Sequence, residues 1–334
     1  MDPFPLYKGP SLLYNCIYLT TQAPHAMTHT HTETIPSPTD VGALANRINL
    51  HTRASHNKID KAMSVNVAFA LRHRFIYEDV LKTYYVVFSA IESEIESILT
   101  DSPDSPIAGI LRQFYVKEFR RKDALLSDLR ILHGPTTGLD TEWVSTRPKL
   151  LAFQQAIHTG IREDPVTVLA YCHVLYLALF AGGRVIRSTL YRNLGFLPNF
   201  DHLSKQEMIE QGTNFFRFAP TTDAENKLRW TYKRNYELAT REALSEEEKL
   251  RVLDAAEQTF QMNTEALFEI SEINRRELMT KVSFKLVTFL VEEWRWNDTV
   301  VSHKSKQNIL AFVAFVNAVI FYFVVKHVWA MLRG

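Results

Sequence analysis

Two adjacent glycines, Gly182 and Gly183, stand inside the apolar run Tyr176-Leu-Ala-Leu-Phe-Ala-Gly-Gly-Arg184 and restrict what can lie against that helix. A glycine in a helix interior costs about 0.5–1 kcal/mol relative to alanine, because it gives up more backbone freedom and packs no side chain. Two in succession call for a neighbour that a Cβ would hold away. The pair fits a second helix packed closely on the first, and it fits a planar cofactor.

The rest of the chain also reads at helical spacing. Asp40 or Thr39 can cap a helix that carries Leu44, Ile48 and Ile59 and runs to about residue 62. A second helix covers residues 75–99, where Ile91-Glu-Ser-Glu-Ile-Glu-Ser-Ile98 alternates buried and charged faces. The Pro, Ser and Asp cluster at 101–106 reads as a loop. Helices follow over 107–115, 120–132 and 147–162, with boundaries at His133-Gly-Pro135 and Asp164-Pro165. The glycine-bearing helix spans about 165–194, and further helices cover 224–239, 245–276 and an amphipathic stretch at 279–296. Ser245-Glu-Glu-Glu248 has the form of a capping box. No strand periodicity and no internal repeat stand out, so the expected fold is an all-α multi-helix bundle.

Charge narrows the partners. The 334 residues carry 38 Lys+Arg against 37 Asp+Glu, whereas nucleic-acid binders display a basic excess or stripe. No nucleic-acid partner is expected. Two cysteines, Cys16 and Cys172, exclude a disulfide framework and suit a reducing compartment.

The two ends differ from the middle. Residues 309–325 are apolar apart from Asn317, and after Lys326-His327 the apolar character resumes to Leu332. Residues 309–332 are long enough to cross a bilayer as a C-terminal transmembrane helix, since about 20 apolar residues suffice; a buried core helix is the other reading. His303, Lys304 and Lys306 lie upstream of this segment, and cationic flanks favour the cytosolic side, so the expected arrangement is a tail anchor with the domain in the cytosol. Residues 1–39 hold prolines and the run Thr28-His-Thr-His-Thr-Glu33, without the basic start and continuous apolar stretch of a signal peptide. They read as a disordered tail, with Met1 or Met27 as the start. The expected division is thus a tail at 1–39, a helical domain at 40–276, a connecting segment at 277–308 and an anchor at 309–332.

His51 lies on the first helix, five residues before His56, and that spacing turns the two rings about 140° apart. They are poorly placed to share one metal, although a single imidazole can ligate haem iron. Taken alone, a helical histidine such as His51 is in most cases an ordinary surface or core residue.

The segment His51-Thr-Arg-Ala54 resembles the proximal-ligand sequence of haem oxygenases. The resemblance continues in order through Ala90-Ile-Glu-Ser-Glu-Ile-Glu96, Lys117-Glu-Phe-Arg-Arg-Lys122, His133-Gly-Pro135 and Gly182-Gly183. It goes on through Gly212-Thr-Asn-Phe-Phe-Arg-Phe218, Asn226-Lys-Leu-Arg-Trp-Thr-Tyr-Lys233 and Thr259-Phe-Gln-Met-Asn263, and so covers about residues 40–275.

This resemblance implies a haem oxygenase-like bundle with haem between the His51 helix and the glycine helix. His51 would be the axial iron ligand, and Gly182 and Gly183 would admit the haem. Arg229 and Lys233, one helical turn apart, would hold the propionates; Arg47 is a third candidate cation, and Phe260 and Asn263 would line the pocket. The family's distal helix reads Gly-Asp-Leu-Ser-Gly-Gly, whereas this chain has Ala178-Leu-Phe-Ala-Gly-Gly183. Leu179 therefore replaces the aspartate that orders a proton-delivering water network in the family, and leucine can hold no water. His173 and Tyr176 precede this turn and could supply a polar group.

The expected function is oxidative cleavage of haem to biliverdin, carbon monoxide and ferrous iron, using dioxygen and electrons from NADPH through a membrane-bound reductase. The expected location is the endoplasmic reticulum membrane, with the domain facing the cytosol. The alternatives are a haem-binding sink or sensor without ring opening, favoured by Leu179, and a helical adaptor on the same scaffold without haem.

Overall fold

The computed structural model describes residues 35–55, 73–134, 139, 141–180, 182–183, 187, 204–281 and 285. Helix α1 is Leu44–His51, α2 is Arg74–Asp101, α3 is Pro106–Phe114 and α4 is Lys122–His133. Then come α5 (Thr141–Ser145), α6 (Pro148–Glu163), α7 (Val168–Tyr171), α8 (Lys205–Gln211), α9 (Thr222–Arg241) and α10 (Glu246–Ile273). No strand occurs among the described residues.

Local chemistry sets most of these limits. The Ser105 hydroxyl accepts the Ala108 N–H, and Pro106 occupies the first turn of α3, where its missing N–H would have had no partner. Gly134 ends α4 at φ +82°, a backbone state that L side chains avoid. Ser245 and Glu248 close the expected capping box at the start of α10.

The first helix departs from expectation at its start. Ala43 occupies the N-cap without a side-chain cap, while the Asp40 carboxylate accepts the Gly42 N–H and pairs with Arg241 of α9 at 2.5 Å. Asp40 is therefore spent on a turn and an ion pair before the helix begins. The helix continues to His51, a turn falls at Thr52, whose hydroxyl donates to the Ile48 carbonyl, and helix resumes over 53–55. The expected continuation over 56–62 lies outside the described residues. The helix expected at 165–194 is helical over 165–180 and at 182–183, but not uniformly α: Pro165–Thr167 is a 3-10 turn, α7 follows, and Cys172–Tyr176 is a π-turn before α-helix returns at 177–180; most of 184–194 lies outside the described residues. Helix α10 stops at Ile273, earlier than expected. There the Asn274 amide donates to the Ile270 carbonyl and to Asp79 of α2. The sequence pattern announces neither α5 nor α8.

The core joins every long helix. Helix α2 packs on α4 and α6, α10 packs on α6, α7, α1 and α2, and α9 packs on α3 and α1. Aromatic rings fill the centre: Phe119 meets Tyr232 edge-on at 4.7 Å, Phe114 meets Tyr236 at 5.1 Å, and Phe180 stacks on Phe218 at 3.9 Å. The chain divides into two compact units, Met1–Arg275 and Arg276–Gly334. No helix among the described residues is long and apolar enough to cross a membrane. Residues 1–34 of the expected tail, most of the amphipathic stretch and the span at 309–332 lie outside the described residues, while 35–39 form turns whose Ser37 carbonyl accepts the Asn46 side-chain amide.

Candidate functional site

The π-turn organises the site. A π-turn places one extra residue in a helical turn and recurs at functional positions. Here two tyrosines one turn apart on α9 hold its N-terminal end, the Tyr232 hydroxyl donating to the Cys172 carbonyl at 2.6 Å and the Tyr236 hydroxyl to the Leu169 carbonyl at 3.0 Å. Both hydroxyls are buried, where a backbone carbonyl is a partner worth having, and they strap α9 along the glycine-bearing segment.

Beyond the π-turn, the segment 177–183 has two unlike faces. Leu179 and Gly183 share one of them. Leu179 is 8% exposed, and a Cβ on Gly183 would sit 3.2 Å from the Phe216 carbonyl oxygen and 3.4 Å from the Phe216 Cβ. Ala178 and Gly182, also one turn apart, share the other; Ala178 is exposed, and a Cβ on the half-buried Gly182 would meet none of the described residues within 4 Å. The two glycines thus differ in cause. Gly183 lets the Phe216 backbone approach and is not on the open side, contrary to the expectation that both glycines admit a ligand. Gly182 leaves room for a Cβ among the described residues.

The wall behind Gly183 is firm. The Asp128 carboxylate accepts the N–H groups of Asn214 and Phe215, both at 2.8 Å, and the Asn214 side-chain amide at 2.9 Å. Burial pushes the Asp128 carboxyl up to about 7, against these hydrogen bonds, which favour its charged form. The Arg121 guanidinium donates to the Arg217 carbonyl at 2.7 Å and lies over the Phe218 ring at 4.1 Å. Residues 214–218 are therefore held from two sides. A small cavity lies here, lined by Leu179, Phe180, Phe216, Phe218, Glu225 and Arg229.

The expected cations divide between two places. Arg229 lines that cavity, and Lys233 follows one turn later on α9. Burial first, and the Arg229 charge second, hold the Lys233 ammonium down to about 8. Two like charges kept together and partly desolvated form a receptor for an anion such as a carboxylate. Arg47 is elsewhere engaged, in a 2.7 Å ion pair with Glu246 at the start of α10. His51 ends α1 with 41% of its side chain exposed and its Nε2 3.8 Å from the Asp254 carboxylate, leaving the imidazole accessible. Asn263 hydrogen-bonds the Tyr84 hydroxyl, and Phe260 packs partly buried against the core. No group of three or more His, Cys, Asp or Glu among the described residues gathers to hold a bare metal ion.

Neither polar residue ahead of Leu179 faces the open side in place of the aspartate. The Tyr176 hydroxyl lies 3.2 Å from that of Tyr115, and its ring is wedged edge-on against Phe88 and Phe119. His173, 3% exposed, places Nε2 3.2 Å from the Asn49 amide oxygen on α1 and leaves Nδ1 buried without a partner. Burial, and then the Lys233 charge, push this imidazole down to about 3, so it is neutral. Asn49 carried no sequence signal, because an asparagine on a helix has many uses and its partner lies 124 residues away.

Comparison with known proteins places these features in a family. Residues 42–269 match the family model described as Heme oxygenase. The chain is 47% identical to the "Heme-binding protein HMX1" of Saccharomyces cerevisiae over 305 residues, 87% of this chain and 96% of that protein. It is 27% identical to a "Heme oxygenase" of Porphyra purpurea, over 69% of this chain and 88% of that one. Among solved structures, heme oxygenase-2 from Synechocystis, crystallised in complex with heme and NO, superposes with a TM-score of 0.58 at 20% identity, covering 74% of this chain and 92% of that one. At that identity the likeness speaks for the fold.

Proposed function

Since the chain belongs to the haem oxygenase family, we propose that it binds haem as substrate and opens it to biliverdin, carbon monoxide and ferrous iron. Dioxygen and electrons from NADPH, delivered by a reductase, complete the reaction. Bound haem is both the molecule consumed and the centre at which dioxygen is reduced.

The observation that carries this reading is the open face of Ala178 and Gly182. It is a side-chain-poor strip on a firmly backed segment, where a flat molecule can touch the backbone. The residues present fit the group. His51 offers an accessible imidazole nitrogen, with Asp254 near enough to orient it. Arg229 and Lys233 offer paired positive charge for two carboxylates, and a carboxylate would offset the burial and the Arg229 charge that lower Lys233. Arg47 would join them only by leaving Glu246. Asn263 and Phe260 belong to the wall of the same reading. Leu179 and Gly183 support the strip from behind.

The membrane segment belongs to this proposal as well. Residues 309–332 would anchor the chain in the endoplasmic reticulum with the domain in the cytosol, beside a membrane-bound reductase, where tethering raises effective concentration. Carbonate extraction should leave the full chain with the membrane and release a chain lacking 309–334.

One experiment tests the activity. The full chain in detergent is given haem, NADPH, a reductase, air and catalase, and its absorbance is followed. Loss of the Soret band with appearance of a bilin is the expected result. A second reading, a haem-binding protein without ring opening, rests on the apolar packing of Leu179 and on the engagement of His173 and Tyr176 elsewhere. A haem complex that persists under the same conditions decides for it.

A further inference from the structure

The site described so far uses neither His173 nor Asn49, yet these two join the glycine-bearing segment to α1, the helix that ends in His51. Helix α1 has only 8 residues, lacks a side-chain cap at its start, and sends two residues, Leu44 and Ile48, into the core. An isolated helix of that length is unstable, so its position depends on what holds it from outside. Its ion pairs to α10, Arg47 with Glu246 and His51 with Asp254, involve acids that are 68% and 74% exposed, and exposed pairs hold weakly. The bond from His173 differs because its donor is buried. Losing Asn49 would leave the second nitrogen of the ring without a partner beside Nδ1, which already has none. Contact with the Tyr236 ring at 5.5 Å limits how the imidazole can turn, and Tyr236 is itself tied to the Leu169 carbonyl.

We propose that His173 is a positioning residue that, through Asn49, fixes the last turn of α1, and with it His51, relative to the π-turn and the open face at Gly182. The chemistry is a hydrogen bond from imidazole Nε2–H to the Asn49 amide oxygen, with the ring neutral and protonated on Nε2. His173 does not touch the iron ligand; it sets where that ligand stands. What this does for haem rests on the function proposed above. The coupling of the two helices does not.

Two measurements on the full chain in detergent test it. The first needs no haem: amide hydrogen exchange over residues 44–51 in wild type, Asn49→Ala and His173→Phe. Exchange about tenfold faster in both variants is expected, the equivalent of about 1.4 kcal/mol lost from local closure, with His173→Gln, which keeps a donor, nearer to wild type. The double variant Asn49→Ala/His173→Phe should exchange no faster than the worse single variant, since one bond is lost only once. Unchanged exchange in Asn49→Ala, whose exposed side chain can be trimmed without disturbing the core, overturns the proposal, as do losses that add. The second adds ferric haem, reduces it, and reads the iron–imidazole stretching band. A band shifted or broadened in both single variants and restored in His173→Gln is expected; a band at the wild-type position in both overturns the role in ligand placement. A wild type that takes up no haem defeats the functional reading while leaving the exchange result to judge the coupling.

Discussion

The two faces of the segment 177–183 are built from similar residues and serve opposite ends. Gly183 meets Phe216, whose neighbour Phe215 is held by Asp128 and Arg121, and Leu179 lines the cavity beside it, so the absence of a side chain at Gly183 is a packing requirement. Ala178 and Gly182, one residue earlier in each case, meet no such wall among the described residues. A helix turns about 100° per residue, so two consecutive glycines report on different surroundings. A glycine pair is thus two observations, and the replacement of the family's aspartate by Leu179 falls on the packed face.

The largest expected effect comes from forcing the packed face to become polar. Leu179→Asp should lower stability by about 2–3 kcal/mol, combining lost apolar burial with a carboxylate beside Phe180, Phe216 and Glu225 that Arg229 of the same cavity only partly offsets, and a denaturant titration reads it. If the variant is as stable as wild type and opens haem faster, the assignment of Leu179 to packing is broken. Next comes Gly183→Val, whose branched side chain has no room before the Phe216 carbonyl; about 1–3 kcal/mol should be lost, visible as a lower Tm. Gly182→Ala should do the reverse, gaining about 0.5–1 kcal/mol from better helix propensity. The larger Gly182→Leu should fold normally yet weaken haem uptake in a Soret titration. Equal losses of stability at 182 and 183 would erase the distinction between the faces.

The smallest expected effect concerns pH, and it sharpens the comparison at its open end. Burial and Arg229 hold Lys233 down to about 8, below its ordinary value. Without ligand, the unfolded chain then binds more protons than the folded one between pH 8 and the ordinary lysine range, so this group adds stability as pH rises through that window. A bound carboxylate favours the charged ammonium. Haem affinity should therefore fall as pH rises above about 8, and Lys233→Gln should flatten that slope in a titration series. An identical slope in the variant would remove Lys233 from the carboxylate-binding pair.

Much of the fold is legible in the chain. The helices at 75–99, 107–115 and 224–239 are found within a few residues of where periodicity and boundary residues put them, and the Ser245 capping box forms as its spacing requires. These signals are local, carried by residues within one or two turns. Elements that need a distant partner were not legible. Asp40 looked like a helix cap but is drawn into an ion pair with Arg241, 201 residues away. The long helix through 165–194 looked continuous, yet it opens into a π-turn at a place marked by the Tyr232 and Tyr236 hydroxyls of α9. For the candidate site, the chain showed the residue types, including His51, the glycines and the cations at 229 and 233. It did not show that Arg47 would be taken by Glu246 or that His173 would reach Asn49.

By itself, then, the sequence determined the helical class, the helix limits set by prolines, caps and glycines, and the ordered motifs that mark the family, because each is encoded in residues close together along the chain. Only the tertiary structure decided which glycine is packed against Phe216, that Arg47 is taken by Glu246 and which polar side chain links the two helices. Those outcomes depend on what packs across from a residue, and no spacing along one helix carries that information.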